Sequence, residues 1–443
     1  MASSTLNANE IGALNQADRS IIVSALGSLT LPDSAGWFPS THTALNGIEK
    51  SHKPAGTSAI SSAALAEYLA IACPTHCADG WAYLSRSLCS YILGDPHSAW
   101  HFAYYAELRA AQSILSGLGC GAFNTWNCTL DANGQIHPAG EKPTHVMVWL
   151  ALKHLAENNV NAVSAISSAT RILGVAVPDV IQYAYAGASP GSTSLGWICS
   201  WLYDLERGIE DKSFRNKCSY NPHIVTPHSA NLPDCVDLVS TFWELLQPAP
   251  GAAFMELDRQ ILRLALRKVA SETLLLRTGT SPDENELTAE IEQAYTRIIS
   301  AAPTFESIPA EYFSSPTRQN PIMNYGCDYS PTPATPRPIL ARATLLLRLA
   351  SGIAQNLLND AGQSSKINFW LDDLAVRQGL VEKSSDIPEN RQDFYADCID
   401  EADSIKQKMV SGVNNMSSLF FASMVKPHLA AQAERVVQWG LAS

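Results

Sequence analysis

The stretch HSAWHFAYYAELRAAQSIL, residues 97–115, decides the fold class of this 443-residue chain. Alanine, leucine and aromatic residues recur along it at helical spacing. Asp95 and Pro96, directly before it, suit the N-cap and the first turn of a helix. The glycines at positions 117, 119 and 121 follow this helix rather than a strand, so they predict a C-cap and a turn instead of a dinucleotide-binding loop.

The same helical spacing recurs along most of the chain. It predicts helices over residues 17–29, 58–73, 81–93, 96–116, 146–158, 160–173, 178–185, 195–210, 236–246, 255–277, 282–302, 339–358, 393–410 and 417–441. The pair Asn133-Gly134 is typical of a tight hairpin turn. No alternation of strands and helices is evident. We therefore expect a mainly α protein of multi-helix, bundle-like domains with at most a small β-hairpin.

The length of the chain suits two or three domains. Four prolines at positions 331, 333, 336 and 338 indicate a linker. The sequence predicts a helical domain over residues 1–230, a middle helical region over 231–325, a proline-rich linker over 326–338 and a C-terminal helical region over 339–443.

Charge and composition constrain the partners of the chain. Hydrophobic residues make up 46% and charged residues 16%, which predicts weakly charged helical surfaces that pack against a second copy or another protein. The net charge is −12, and neither half of the chain is basic. Duplex DNA binding needs a positive footprint, so DNA is not expected as a partner. RNA contacts would come from a local patch such as Lys212, Arg215 and Lys217.

The ten cysteines are scattered, and the N-terminus does not have the pattern of a signal peptide. We therefore expect a cytoplasmic protein with reduced cysteines and, since no run of about 18 apolar residues occurs, no membrane span. Cys73, His76 and Cys77 lack the spacing of a zinc knuckle. His97 and His101 lie four residues apart on one helix face, but zinc needs a third protein ligand. No metal or cofactor is expected.

The segment FRNKCSYNPH, residues 214–223, is a second stretch rich in polar residues. Metal-independent RNA cleavage uses the ribose 2′-hydroxyl as nucleophile, with a neutral histidine to take its proton and a guanidinium to stabilise the phosphate. Arg215 and His223 are the residue types that this chemistry needs, and Asn216 can orient the phosphate or the histidine. The alternative is that Arg215 and Asn216 cap a helix end and fix the loop after it.

Residues 60–230 resemble the HEPN superfamily of helical bacterial proteins. The resemblance rests on Arg215-Asn216 and on the histidine- and tyrosine-rich helix. The nuclease members of this superfamily carry an arginine, a polar residue and a histidine close together. In this chain seven residues separate Arg215 from His223. The resemblance implies an endoribonuclease acting in stress or anti-phage defence. Arg215, His223 and Asn216 would then be catalytic, and four residues would contact the substrate: His101, Tyr105, Arg109 and Lys217.

A second hypothesis comes from a different class of protein. In it the chain is a non-catalytic helical subunit or adaptor of a multi-protein complex, possessing the same weakly charged surface but no converging polar groups. A degenerate HEPN relative that no longer cleaves RNA would belong to this class.

Overall fold

The computed structural model describes residues 5–31, 37, 42, 60–124, 126–185, 207–220, 232–249, 251–326, 335–413, 418–419 and 426–442. These residues form 18 α-helices and five short strands, so the expected mainly α fold is confirmed. The helices are α1 Ala8–Leu14, α2 Arg19–Ser28, α3 Ser62–Ile92, α4 Pro96–Gly117, α5 Thr144–Asn158, α6 Val160–Ser167, α7 Val177–Ala184, α8 Arg207–Tyr220, α9 Leu232–Leu245, α10 Met255–Thr278, α11 Glu284–Ala301, α12 Ala310–Ser314, α13 Pro321–Gly326, α14 Arg337–Asp360, α15 Asn368–Arg377, α16 Asp393–Val410, α17 Pro427–Ala430 and α18 Val436–Gly440. The strands are β1 Cys120–Phe123, β2 Trp126–Leu130, β3 Ile136–Pro138, β4 Arg171–Ile172 and β5 Val175–Ala176.

Three long helices, α3, α4 and α14, pack on one another at the centre of the structure. Buried polar contacts join them: Trp81 Nε1 of α3 donates to Ser351 Oγ of α14 at 3.0 Å, and Ser113 Oγ of α4 donates to the Cys73 carbonyl of α3 at 2.7 Å. Helix α14 belongs to the C-terminal part of the chain, yet it shares its core with helices near the N-terminus. The division of the chain at residues 230, 325 and 338 stays a prediction.

Helix α3 corrects the expectation of two helices over 58–73 and 81–93. It is one helix of 31 residues that continues through Pro74. Proline lacks the amide N–H and normally kinks or ends a helix. Here Pro74 is buried, as are Cys73 before it and Cys77 after it. The packing of these residues keeps the helix continuous through the proline. Thr75 Oγ1 also donates to the Ile71 carbonyl at 2.9 Å, beside the proline.

The ends of α4 are those that the sequence predicts. The Asp95 side chain accepts the backbone N–H of Ser98 at 3.0 Å, and Pro96 is the first helical residue. The helix ends at Gly117, and Gly119 has a φ of +82°, which leads directly into β1. Strands β1, β2 and β3 then form an antiparallel sheet, and β2 and β3 are joined through the predicted Asn133-Gly134 turn.

Two further helix predictions need correction. The helix predicted over 160–173 ends at Ser167, and Leu173 and Gly174, which have positive φ values, form the turn between β4 and β5. The helix predicted over 417–441 contains two short helices in its described part, α17 and α18, separated by a 3-10 turn over Ala433–Arg435. Within the described ranges, no helix combines the length and the apolar character needed to cross a bilayer.

Candidate functional site

Helix α8 lies antiparallel on α4 and forms one wall of a polar group that we call the tyrosine–arginine cluster. Its members are His101, Tyr104, Tyr105, His145, Arg215 and Ser219. Residues four apart share a helix face, so Arg215 and Ser219 of α8 both face α4. Gly208, near the start of α8, lies against the indole of Trp149 so closely that a Cβ would come within 2.2 Å of it. Phe214, in the middle of α8, packs on Trp100 of α4 with ring centroids 4.5 Å apart.

Arg215 is the centre of this cluster. Arg215 is 5% exposed, and its guanidinium carbon lies 5.0 Å from the ring centroid of Tyr104 and 5.1 Å from that of Tyr105. Within the described part of the chain, no carboxylate pairs with it, and its Nε has no hydrogen-bond acceptor. Buried charges are normally paired with an opposite charge. The two tyrosine faces attract the cation but leave its hydrogen-bonding capacity available to an anion.

His145 shares the tyrosines with Arg215. It lies in the first turn of α5, and its Nδ1 is 2.9 Å from the Tyr104 hydroxyl. Burial lowers the pKa of His145 to about 4, and the positive charges of Arg215, Lys212 and Arg109 act in the same direction. The imidazole is therefore neutral at pH 7. Because burial raises the pKa of Tyr104, its hydroxyl remains protonated and can either donate to or accept from His145.

His101 lies at the other end of the cluster. Its Nδ1 is 2.8 Å from Ser219 Oγ, and its ring centroid is 5.1 Å from that of Tyr105. Burial, and then the charge of Arg215, lower the pKa of His101 below its usual value. Both histidines are half-buried, so a buried cation is flanked by two neutral imidazoles that are partly open to solvent.

The structure brings together three of the site residues that the sequence predicts, namely Arg215, Tyr105 and His101. Asn216 follows Arg215 on α8 and is half-buried, whereas Lys217 is exposed. His223 lies outside the described residues. The catalytic and substrate-binding roles of all these residues stay predictions.

Arg109, one turn beyond Tyr105 on α4, faces a different space. Its Nη1 donates to His76 Nδ1 at 3.1 Å, and its Nε lies 3.7 Å from Asp79 Oδ2. These residues line the α3–α4 cavity, which has a volume of about 680 Å³. The lining residues are Trp37, Tyr68, Ile71, Ala72, Thr75, His76, Asp79, Arg109, Gln112, Leu115, Ser116, Cys120, Ala122, Phe123, Asn124 and Thr144. Burial and the Arg109 charge lower the pKa of His76 to about 3.

A buried acidic pair lies directly behind the cluster and holds α8 in place. Arg342 Nη2 of α14 donates to Asp211 Oδ2 at 2.5 Å, and Arg342 Nε is 3.5 Å from Glu107 Oε1. Burial, and then the charge of Asp211, raise the pKa of Glu107 well above its usual value. One arginine therefore serves two acidic side chains, and the raised pKa favours the neutral form of Glu107. Asp211 is engaged by Arg342, one helical turn before Arg215.

Sequence reasoning missed His145, the partner of Tyr104, and the pairing of Arg109 with His76. His145 follows Pro143-Thr144, an ordinary helix start, and it lies 41 residues from Tyr104 along the chain. No local spacing connects these residues. A helix beginning at Thr144 was predictable to within two residues, but the side chain that its first turn would contact was not.

Cys73, His76 and Cys77 do not converge on one point. The Sγ of Cys73 is 3.8 Å from Ser113 Oγ and that of Cys77 is 3.3 Å from Ser351 Oγ, whereas His76 contacts Arg109. Burial raises the pKa of both thiols to about 12. Among the described residues, no group of three or more histidine, cysteine, aspartate or glutamate side chains is arranged to hold a metal ion.

No family model, curated protein or solved structure matches this chain.

Proposed function

We propose that this chain is a metal-independent endoribonuclease of the HEPN-like type, with the tyrosine–arginine cluster as its phosphodiester-binding site. One observation carries the proposal. Arg215 is a buried guanidinium that lacks a carboxylate partner in the described part of the chain and lies between two neutral, half-buried histidines. A phosphate would supply the negative charge that Arg215 lacks, because guanidinium groups bind phosphate oxygens through paired hydrogen bonds.

The proposed reaction is an in-line displacement at phosphorus. The ribose 2′-oxygen forms a bond to the adjacent phosphorus, and the bond from phosphorus to the 5′-oxygen of the next nucleotide breaks. His145 Nε2 takes the 2′-hydroxyl proton, and the leaving 5′-oxygen takes a proton from solvent. The products are a 2′,3′-cyclic phosphate and a 5′-hydroxyl. Arg215 stabilises the charge that develops on the phosphate oxygens.

The role of His145 requires one of its two tautomers. When Nδ1 carries the proton and donates to the Tyr104 hydroxyl, Nε2 is free to accept a proton. A pKa near 4 makes a weak base. A bound phosphate would offset the charges of Arg215, Lys212 and Arg109, so the pKa of His145 would rise toward the operating pH, where general bases work best. His223 remains the second candidate for this role.

The test is an RNA-cleavage assay in excess EDTA with end mapping. The variants are Arg215→Met, His145→Gln, His101→Gln and His223→Ala. The matched controls are Arg277→Met and His428→Gln, which change an exposed arginine and an exposed histidine outside the cluster. We expect cleavage to survive EDTA and to fall by about 100-fold or more in Arg215→Met and His145→Gln, the range typical of losing a general base. Both controls should cleave like the unaltered chain.

Intact RNA in every lane, or undiminished cleavage by Arg215→Met, would contradict the ribonuclease proposal. Loss in His223→Ala with full activity in His145→Gln would move the base to His223 and leave Arg215 in its role. With no cleavage at all, the chain would fit the non-catalytic subunit, and co-purification of a partner protein would be the next measurement. The cytoplasmic location, which rests on the scattered cysteines and the N-terminal sequence, and the role in defence, which rests on the HEPN resemblance, are part of the same proposal.

A further inference from the structure

We infer that the α3–α4 cavity is a nucleotide-binding pocket, in which aromatic side chains hold a base and Arg109 holds the adjoining phosphate. This deepens the proposed function and rests on it in one respect: the ribonuclease proposal identifies the bound nucleotide as part of an RNA strand. The pocket itself is argued from its own residues.

The size of the cavity suits a mononucleotide. Ligand pockets in proteins are typically about 300–1,000 Å³, and this one is about 680 Å³. Most of its lining residues belong to α3, α4 and strand β1, and Trp37 joins them from outside these regular elements. Such elements hold a pocket in shape before the ligand arrives.

Three aromatic residues, Trp37, Tyr68 and Phe123, line the cavity. The rings of Tyr68 and Phe123 meet edge to face, with centroids 5.7 Å apart, and Trp126 stacks behind Phe123 at 5.4 Å. Trp37 is braced by Trp370 at 5.3 Å. Every nucleobase has a π-face, and stacking on fixed aromatic rings is the general means of holding one. The indole N–H of Trp37 also has no acceptor among the described residues.

The polar lining of the cavity favours an anionic group at Arg109. The neutral His76 accepts one of its hydrogen bonds, and Gln112 Oε1 lies 3.4 Å from its Nη1. Within the described part of the chain, the carboxylate paired with Arg109 is that of Asp79, whose Oδ2 lies 3.7 Å from the Arg109 Nε and whose side chain is 55% exposed. An exposed pair of this kind is weak. The Arg109 charge is therefore held at the cavity wall and only partly compensated, as a phosphate site requires.

The cavity and the tyrosine–arginine cluster are neighbours along α4. Tyr105 and Arg109 are four residues apart, a rise of about 6 Å along a helix. Thr144 lines the cavity, and the next residue, His145, belongs to the cluster. The Thr144 hydroxyl also accepts the backbone N–H of Asn124 at 2.7 Å, which ties the sheet to this junction. A strand can thus place one base in the cavity and the adjacent phosphodiester at Arg215.

The inference is tested by calorimetric titration of the full chain with AMP, GMP, CMP and UMP, compared with inorganic phosphate and ribose 5-phosphate. We expect at least one mononucleotide to bind tenfold or more tightly than ribose 5-phosphate. Arg109→Met and Phe123→Leu should each weaken that binding by tenfold or more. Arg277→Met, an exposed arginine on α10, should not change it. Thermal melting of each variant checks that it is folded.

Several outcomes would overturn the pocket: no mononucleotide binding, equal binding of inorganic phosphate, or full affinity in a folded Arg109→Met variant. The outcome is independent of the cleavage assay. Mononucleotide binding with intact RNA would retain the pocket and remove the ribonuclease proposal. Cleavage that depends on Arg215 without mononucleotide binding would do the reverse.

Discussion

Replacing Arg215 with methionine should raise the pKa of His145, and the size of the rise follows from the geometry. The guanidinium carbon is 5.0 Å from the centroid of Tyr104, and that ring is 5.7 Å from the His145 ring, so the two charges are less than 11 Å apart. At a separation of ~10 Å and an effective dielectric constant of ~20, the repulsion is about 1.7 kcal/mol. Removing it should move the pKa of His145 from about 4 to roughly 5.

Methionine is the appropriate replacement because it keeps an unbranched apolar chain on the two tyrosine rings. The lost cation–π attraction, about 0.5–2 kcal/mol, is offset because a charge no longer has to be buried. We therefore expect Arg215→Met to fold and to melt within a few degrees of the unaltered chain. The change in the pKa of His145 can then be attributed to the charge.

The assay is a pH titration of the histidine Cε1–H resonances by NMR, with the His145 signal assigned by its absence in His145→Gln. Lys217→Met is the matched control, because the Lys217 ammonium is exposed on the same helix and screened by solvent. It should leave the pKa of His145 unchanged. A folded Arg215→Met variant in which His145 still titrates near 4 would refute the reasoning that Arg215 and His145 form one electrostatic site.

Three further predictions concern the buried charges. Arg348→Met should destabilise the fold by about 3–5 kcal/mol in urea denaturation, because it leaves Asp258, which accepts hydrogen bonds from Arg348 at 2.6 and 2.8 Å, as an unpaired buried charge. A double variant that also carries Asp258→Leu should recover most of that loss. If stability is not recovered, the loss in Arg348→Met does not come from breaking this ion pair. Glu107→Gln should change the free energy of unfolding by about 1 kcal/mol or less, because the raised pKa of Glu107 favours the neutral acid, which glutamine resembles; a loss of several kcal/mol would mean that Glu107 is ionised. The folded chain should lose stability as the pH falls from 6.5 toward 4, because His76 and His145 take up protons near pH 6.5 in the unfolded chain but only near pH 3 and 4 in the folded one. A chain with both histidines replaced by glutamine should show a flatter dependence of unfolding free energy on pH. An equally steep dependence would assign the loss to other groups.

The sequence alone determined the elements whose signals are local. Helix α4 begins at Pro96 after the Asp95 cap and ends before Gly119, because capping and positive φ depend on a few neighbouring residues. It also supplied part of the site, since His101 and Tyr105 lie on an alanine- and leucine-rich helix where polar residues are uncommon, and Arg215 lies in a segment rich in polar residues. Helix α3 was predicted in two pieces because Pro74 is a local stop signal. Its continuation depends on burial by other helices, which no local pattern contains.

Only the tertiary structure decided which of these charges are compensated. Asp211 and Arg215 lie one turn apart on α8, and their spacing alone would allow an ion pair. The fold instead brings Arg342, 131 residues along the chain, to Asp211, and it leaves Arg215 on two tyrosine rings. It also brings His145 to Tyr104. Charge compensation in a protein interior depends on distances between residues remote in sequence, so it is fixed only when the helices pack.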